Sequence, residues 1–195
     1  MGMDQTGPSA ADDRPLPHGR GSESGRGPEA PKVRVESPFP AAAWPRVWQW
    51  IADFRRSVAD DFAPATCSAF VEQQLARAEH SRTWAVYHDA ELCGLVAYEP
   101  VSPVTGMTHA MFRKDFWGHA ITETALRMVY AEIFAGGARR IFGTPFTTNH
   151  ASNALAMRLG FKKEGVLRKH TLRGGKPADM IVLGLLKEEF VPCPR

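Results

Sequence analysis

Residues 149–161 read Asn-His-Ala-Ser-Asn-Ala-Leu-Ala-Met-Arg-Leu-Gly-Phe. The stretch from Asn149 to Leu159 predicts a short helix, and Phe161–Thr171 a strand. A Gly174-Gly175 turn then leads to a second strand over Met180–Leu186. Upstream, Arg139–Pro145 reads as a strand. The segment before it, Gly118 to Phe134, switches to helical spacing: Ile121, Ala125, Met128, Val129, Ile133 and Phe134 make a broad apolar face, and Gly136-Gly137 ends the helix.

Working further outward, Arg82–His88 and Glu91–Tyr98 are rich in Val, Leu and aromatic residues, with a tight connection at His88-Asp89-Ala90. A third strand, Thr108–Arg113, follows a turn at Pro103/Gly106, which completes a meander. Two helices are predicted before it. Trp44, Val47, Trp48, Ile51, Phe54 and Val58 recur at three- and four-residue steps behind Pro45, and Phe70, Val71 and Leu75 repeat the pattern after Thr66 as N-cap. Lys32–Glu36 alternates polar and apolar residues as a first strand does. The order is strand, two helices, three strands, helix, strand, helix, two strands.

Composition bounds what this chain does. Its 195 residues, 44% hydrophobic, suffice for one core, so a single domain is expected over residues 32–195. Residues 1–31 are Gly, Pro, Ser and mixed charge with little to bury, which predicts a disordered tail. Five basic against six acidic side chains over residues 1–36 make it no nucleic-acid arm. The net charge of +3 carries no dense Lys/Arg block, which disfavours nucleic acid as a partner. No apolar run approaches the ~20 residues that span a bilayer, so no membrane partner is expected. Cys67, Cys93 and Cys193 are scattered and odd in number, which suits neither a disulfide framework nor a zinc site; the expected setting is the cytoplasm, with no metal. No Gly-x-Gly-x-x-Gly follows an N-terminal strand, which excludes a dinucleotide fold.

A second informative segment is Arg113-Lys114-Asp115-Phe116-Trp117-Gly118-His119-Ala120, joining a strand to the longest helix. The N–H groups at such a start are unpaired and partly positive, so a phosphate binds there readily, and Gly118 and Ala120 let it approach the backbone. Asn149-x-x-Ser152 followed by Leu159-Gly160-Phe161, with a Gly-x-Ala helix start some thirty residues upstream, resembles the GNAT acetyltransferases. Glu164-Gly165-Val166-Leu167-Arg168, the Gly-Gly turn, Lys176, Asp179 and Leu185-Leu186-Lys187 resemble the ribosomal-protein alanine N-acetyltransferases within that superfamily.

The resemblance covers residues 32–190. It implies an α/β (α+β) GNAT fold, a mixed sheet of about seven strands with about four helices. It also implies an acyl-CoA-dependent N-acetyltransferase with acetyl-CoA as co-substrate. The acceptor would be an amine, on a protein N-terminus or a small molecule such as an antibiotic or polyamine, and the enzyme a monomer or homodimer. A CoA-binding sensor or interaction module without turnover is the alternative. By resemblance, the main chain of Phe116, Trp117, Gly118, His119 and Ala120 holds the pyrophosphate. That of Met111, Phe112 and Arg113 pairs with the pantetheine arm, and Asn149 holds the arm near the thioester.

Two positions depart from the family pattern. Asp115 stands where Arg or Gln is common and repels phosphate unless Arg113 or Lys114 compensates. Ala156 stands where many members carry the tyrosine that protonates the departing thiolate. Ser152 is the candidate acid in its place, against the reading of a serine that merely caps its helix. His109 is the candidate base because imidazole titrates near neutrality, with Glu91 and Glu99 as rivals. The aromatic set Trp44, Trp48, Trp50 and Phe54 reads first as core, as do Tyr98 and Tyr130, while Phe146 and Thr147 are candidates for the acceptor side. No cysteine falls in these motifs, so the expected chemistry is direct attack by a neutral amine.

Overall fold

The computed structural model describes residues 32–52, 55 and 59–193. The expected tail over residues 1–31 and the helical positions Phe54 and Val58 lie outside them. Seven strands form one sheet: β1 (Val33–Glu36), β2 (Arg82–His88), β3 (Glu91–Ser102), β4 (Thr105–Phe112), β5 (Arg140–Gly143), β6 (Lys162–Arg173) and β7 (Lys176–Leu186). Four helices accompany them among the described residues: α1 (Trp44–Ala52), α2 (Cys67–Arg77), α3 (Ala120–Ala135) and α4 (His150–Arg158). The strand order is β1-β2-β3-β4-β5-β7-β6, antiparallel except for the parallel pair β4–β5.

Strand alternation divides the core in two. Trp84, Val86 and Val96 point toward α3, where they meet Ala125, Leu126, Val129 and Ile133. Ala85, Leu92 and Leu95 point the other way, against Trp44, Val47 and Ile51 of α1 and Phe70 of α2. Because β3 is covered on both faces, Leu92–Val96 is buried without a break. The register shifts beside Val86, with Val86 opposite Gly94 and Tyr87 opposite Leu92, so Cys93 is an extra residue whose side chain joins the α3 face. Removing the Leu126 side chain, 2% exposed, would cost about 2–5 kcal/mol, far more than an exposed ion pair such as Arg46–Glu91 contributes.

Three boundaries differ from the sequence reading, each for a physical reason. Strand β3 runs on to Ser102 and β4 begins at Thr105, so the turn is Pro103-Val104 and Gly106 lies within a strand. Gly106 is there because the Tyr98 ring crosses it: a Cβ would stand 2.1 Å from the ring. Strand β7 starts at Lys176 rather than Met180. Its first residues pair with β6 but reach past the four-residue β5, and most of them are exposed, so they carry no apolar alternation to read.

The overhanging β6–β7 hairpin is tied to the segment 59–64, which leads from α1 toward α2. The Asp61 carboxylate accepts the N–H groups of Gly174 and Gly175 at 2.8 Å each, Asp61 N–H donates to Leu172 O at 3.0 Å, and Thr171 Oγ1 donates to Asp60 at 2.9 Å. The bonds from Gly175 and Gly174 hold the Asp61 carboxyl below its ordinary value of 3.8. A depressed folded value means that this tie is complete above about pH 4 and is lost as pH falls through the lower folded value. In an Asp61→Ala variant, amide exchange at Gly174 and Gly175 should rise by about tenfold or more while that of Val129 in α3 stays put. Native exchange at both glycines would show that the carboxylate is not what fastens the strap.

Candidate active site

Strands β4 and β5 pair only over Thr105–Met107 with Arg140–Phe142. Beyond this, β4 keeps its antiparallel partner β3 as far as Phe112, whereas β5 stays with β7: Ile181 N–H donates to Pro145 O at 2.9 Å, and Phe146 bridges to Met180. The two strands therefore part and leave a notch. Arg113 N–H donates to Cys93 O at 2.9 Å, so by antiparallel alternation the main chains of Met111 and His109 also face β3. Those of Ala110 and Phe112 face the notch. The Phe112 carbonyl there accepts Trp117 Nε1–H at 2.9 Å.

At one end of the notch lies the turn Lys114–Phe116 and the start of α3. Local bonds already use three N–H groups: Phe116 to Arg113 O, Trp117 to Lys114 O and His119 to Phe116 O. Thr122 Oγ1 also donates to Phe116 O, at 2.8 Å. The N–H groups of Gly118, Ala120 and Ile121 make no backbone bond among the described residues. Gly118 has φ +78°, and a Cβ on it would meet nothing within 4 Å. A bare helix start with unpaired donors and open space above a glycine fits a pyrophosphate. Within the expected segment Phe116–Ala120, the unpaired donors are therefore Gly118 and Ala120, with Ile121 beyond it.

Asp115 does not face that space as a free anion. Arg113 grips it with Nε at 2.9 Å and Nη2 at 2.5 Å, and the same guanidinium reaches Glu91. Arg113 therefore holds both carboxyls below the usual range, and is itself held more firmly protonated by Asp115 first and Glu91 second. The sequence reading named backbone groups and Arg113 or Lys114 as what could compensate Asp115; the structure pairs Arg113 with it and with Glu91. Lys114 has no ion pair among the described residues.

Across the notch, Asn149 caps α4: its Oδ1 accepts Ser152 N–H at 3.2 Å, which leaves its Nδ2 as the group to meet a ligand. Ser152 is half-buried in the first turn. Asn153 donates to Phe146 O and Thr147 O through Nδ2, whereas its Oδ1 is buried without a partner among the described residues.

On the α1/α2 face of the sheet, a cleft of about 470 Å³ has β3 and β4 as its floor. His109 lies in that floor, where its side chain follows the parity of Met111 and Leu95. Its Nε2 is 3.8 Å from Glu99 Oε1, and Arg77 Nη1 is 3.9 Å from the same oxygen. His109 first, then Arg77, holds the Glu99 carboxyl below its ordinary range. Trp44 and Phe70 are core residues that also line the cleft, together with Trp48, Phe146 and Met180. Ala110, between His109 and Met111, lines the cleft and turns its main chain to the notch, while its side chain points to the α3 face with that of Val96, so the two spaces meet along the β4 backbone.

Glu91 belongs to the Arg113 cluster at the far end of β3 and not to the cleft. Tyr130 is buried against Phe161 and Phe190, and burial pushes its phenol up to about 12. Cys93 is fully buried and its thiol is pushed up to about 11, also by burial. Trp117 is 42% exposed beside the notch. Among the described residues, no His/Cys/Asp/Glu group has the arrangement of a metal site, and no helix is long and apolar enough to cross a membrane. The sequence reading missed Arg77, whose signal is only its distance from Glu99, and the strap residues Asp60 and Asp61, whose hairpin partners are over 100 positions away.

The pattern of the acetyltransferase (GNAT) domain matches residues 37–162. An uncharacterized N-acetyltransferase, YoaA of Bacillus subtilis (strain 168), is 35% identical over 74 residues, which is 37% of this chain and 42% of that protein. The chain thus spans less than half the length of this curated relative. Among solved structures, Mycobacterium smegmatis RimJ in complex with CoA-disulfide superposes with a TM-score of 0.68 at 20% identity, over 80% of this chain and 83% of that one. The ribosomal-protein-S5-alanine acetyltransferase of Vibrio fischeri gives 0.66 at 17% identity, over 84% and 97%. At these identities the two structures share the fold.

A Gly118→Val substitution forces a β-branched residue into a positive φ and fills the space above the helix start. It should weaken acetyl-CoA binding in titration calorimetry by about tenfold or more, with an unchanged far-ultraviolet spectrum. Native affinity would place the phosphates elsewhere.

Proposed function

Because the chain belongs to the GNAT acetyltransferase family, we propose that it transfers the acetyl group of acetyl-CoA to a primary amine, and that this amine is the amino terminus of a protein or peptide. The observation that carries the transfer is the meeting of notch and cleft at Ala110, which sets an acceptor beside a cofactor arm across one strand. The protein acceptor is supported by the description of the Vibrio fischeri structure, and by a β6–β7 hairpin that overhangs β5 and closes on the strap beside the cleft.

When bound, acetyl-CoA supplies an activated thioester carbonyl. Gly118, Ala120 and Ile121 would receive its phosphates, the β4 edge at Ala110 and Phe112 its arm, and Asn149 Nδ2 the region near the thioester. His109 takes a proton from the acceptor ammonium, because only the neutral amine has a lone pair to attack with. Ser152 Oγ donates a hydrogen bond or proton toward the leaving sulfur, the role left open by Ala156. With Cys93 sealed in the core, the amine attacks directly and no thiol of the sheet intervenes. Positioning of the two reactants supplies much of the acceleration.

A small-molecule amine is the second reading, favoured by a cleft whose volume matches a drug-sized ligand. A sensor without turnover would be favoured by Asp115 and by Ala156 in place of a tyrosine, and the first of these grounds is weakened because Asp115 is paired with Arg113.

Saturable thermal stabilisation by acetyl-CoA is the first expected result; a folded protein that ignores it would remove the transferase reading. Ser152→Ala should lower kcat by up to ~10²–10⁴-fold without loss of acetyl-CoA affinity. An unchanged kcat would retire the hydroxyl as the acid. His109→Gln should reduce kcat by at least about tenfold at neutral pH, with the deficit shrinking at alkaline pH where the free amine predominates. A deficit independent of pH would assign His109 a role other than base.

A further inference from the structure

The lining of the acceptor cleft has more to say about the acceptor than that it is an amine. Its ionisable members are two carboxylates, Asp60 and Glu99, two guanidinium groups, Arg55 and Arg77, and the imidazole of His109. Asp60 is engaged by Thr171 Oγ1 at 2.9 Å, which leaves Glu99 as the carboxylate to meet a ligand. Glu99 is 27% exposed and stands 3.8 and 3.9 Å from His109 and Arg77, too far for a hydrogen bond to either. A single positive group can bond there. A polycation would bring its other charges against Arg55 and Arg77 in the same wall.

Elsewhere the wall is apolar. Trp48 of α1 and Met180 of β7 are partly exposed into the cleft. Phe62, on the strap that Asp61 fastens to the hairpin, also lines it while remaining 72% exposed. An aromatic ring held that far out of the core by a hydrogen-bonded strap exposes apolar area that an apolar occupant would cover.

We propose that the acceptor is a monocationic amine attached directly to a large apolar side chain, as in a peptide whose first residue is Leu, Met or Phe. Glu99 receives the ammonium as its counter-ion and sets it beside His109 Nε2, while Trp48, Phe62 and Met180 cover the side chain. The proton passes from the ammonium nitrogen to His109, and the freed amine turns toward the notch at Ala110. Glu99 is thus a positioning and specificity residue and His109 the group that moves the proton. This inference rests on the amine-transfer reading above, and it narrows the acceptor beyond it.

The test is steady-state kinetics with acetyl-CoA and hexapeptides that differ only in their first residue (Leu, Met, Phe, Gly or Ser), alongside phenethylamine, spermidine and an aminoglycoside. Peptides headed by Leu, Met or Phe should exceed those headed by Gly or Ser by about 10–100-fold in kcat/KM, with the difference in KM. Phe62→Ser should abolish most of that difference. Glu99→Gln should raise KM for every peptide by about tenfold while acetyl-CoA affinity holds, and Glu99→Asp should recover part of it. A structural role for Glu99 would instead lower acetyl-CoA affinity and thermal stability with no KM-selective effect. Equal use of Gly- and Leu-headed peptides, or highest turnover with spermidine or the aminoglycoside, overturns the inference. If phenethylamine is acetylated and no peptide is, the protein-terminus reading falls while the monocationic apolar acceptor stands; no transfer to any of these amines by a protein that binds acetyl-CoA overturns both.

Discussion

The site exists because two neighbouring strands are each bound more extensively to someone else. Strand β4 is laddered to β3 along its whole length, β5 to β7, and the parallel pairing between them lasts for three residue pairs. After Phe142 the chain continues through Pro145, which has no N–H to offer β4, while its carbonyl is taken by Ile181. A sheet edge is thereby created in the middle of the sheet, where its exposed amides are sheltered from pairing with other chains yet open to an extended ligand. The N-termini of α3 and α4 each follow the strand on their own side of this gap, which brings two sets of orphan donors to one place without any side chain having to specify it.

The fold requires little else beyond the division of the core. Helix α3 packs on one face of β2–β4 and α1 with α2 on the other, so the floor strands are pinned from both sides. That rigidity matters for a site whose groups must be held within fractions of an ångström. The face toward α3 is filled, whereas the face toward α1 and α2 is left partly open, and the opening is the cleft with His109 in its floor. Bulk aromatic residues such as Trp44 and Phe70 therefore serve as core on one side and as cleft wall on the other.

Much of this was legible in the sequence because its signals are local. The spacing of Ile121, Ala125, Val129 and Ile133 announces α3, the cap at Thr66 starts α2, the helix after Asn149 is α4, and Gly118 stands before α3 with the backbone angle that only glycine adopts cheaply. What was not legible depends on register or on long-range pairing. Which main chains on β4 face the notch follows from the register with β3, and it selects Phe112 and Ala110 over Met111 and Arg113. Gly106 resembles a turn residue until the Tyr98 ring is seen above it. The overhanging ends of β3 and β7 carry no alternation because both of their faces meet water. Which of Arg113 and Lys114 compensates Asp115 was also open in the sequence, and the pairing selects Arg113.

That pairing also extends further than the loop. Arg113 joins Asp115 to Glu91, and Glu91 in turn lies 3.4 Å from Arg46 on α1, a helix that walls the cleft. A chain of four alternating charges thus runs across the surface from one half of the site to the other, three of them about half exposed and the Arg113 guanidinium more sheltered. Links of this kind weaken as mobile ions accumulate around them, at separations near the Debye length of about 8–10 Å at ordinary ionic strength. Salt is therefore a solvent variable that reaches the loop before α3 and the cleft wall together, and the ionic composition of the surroundings acts as a common setting for both.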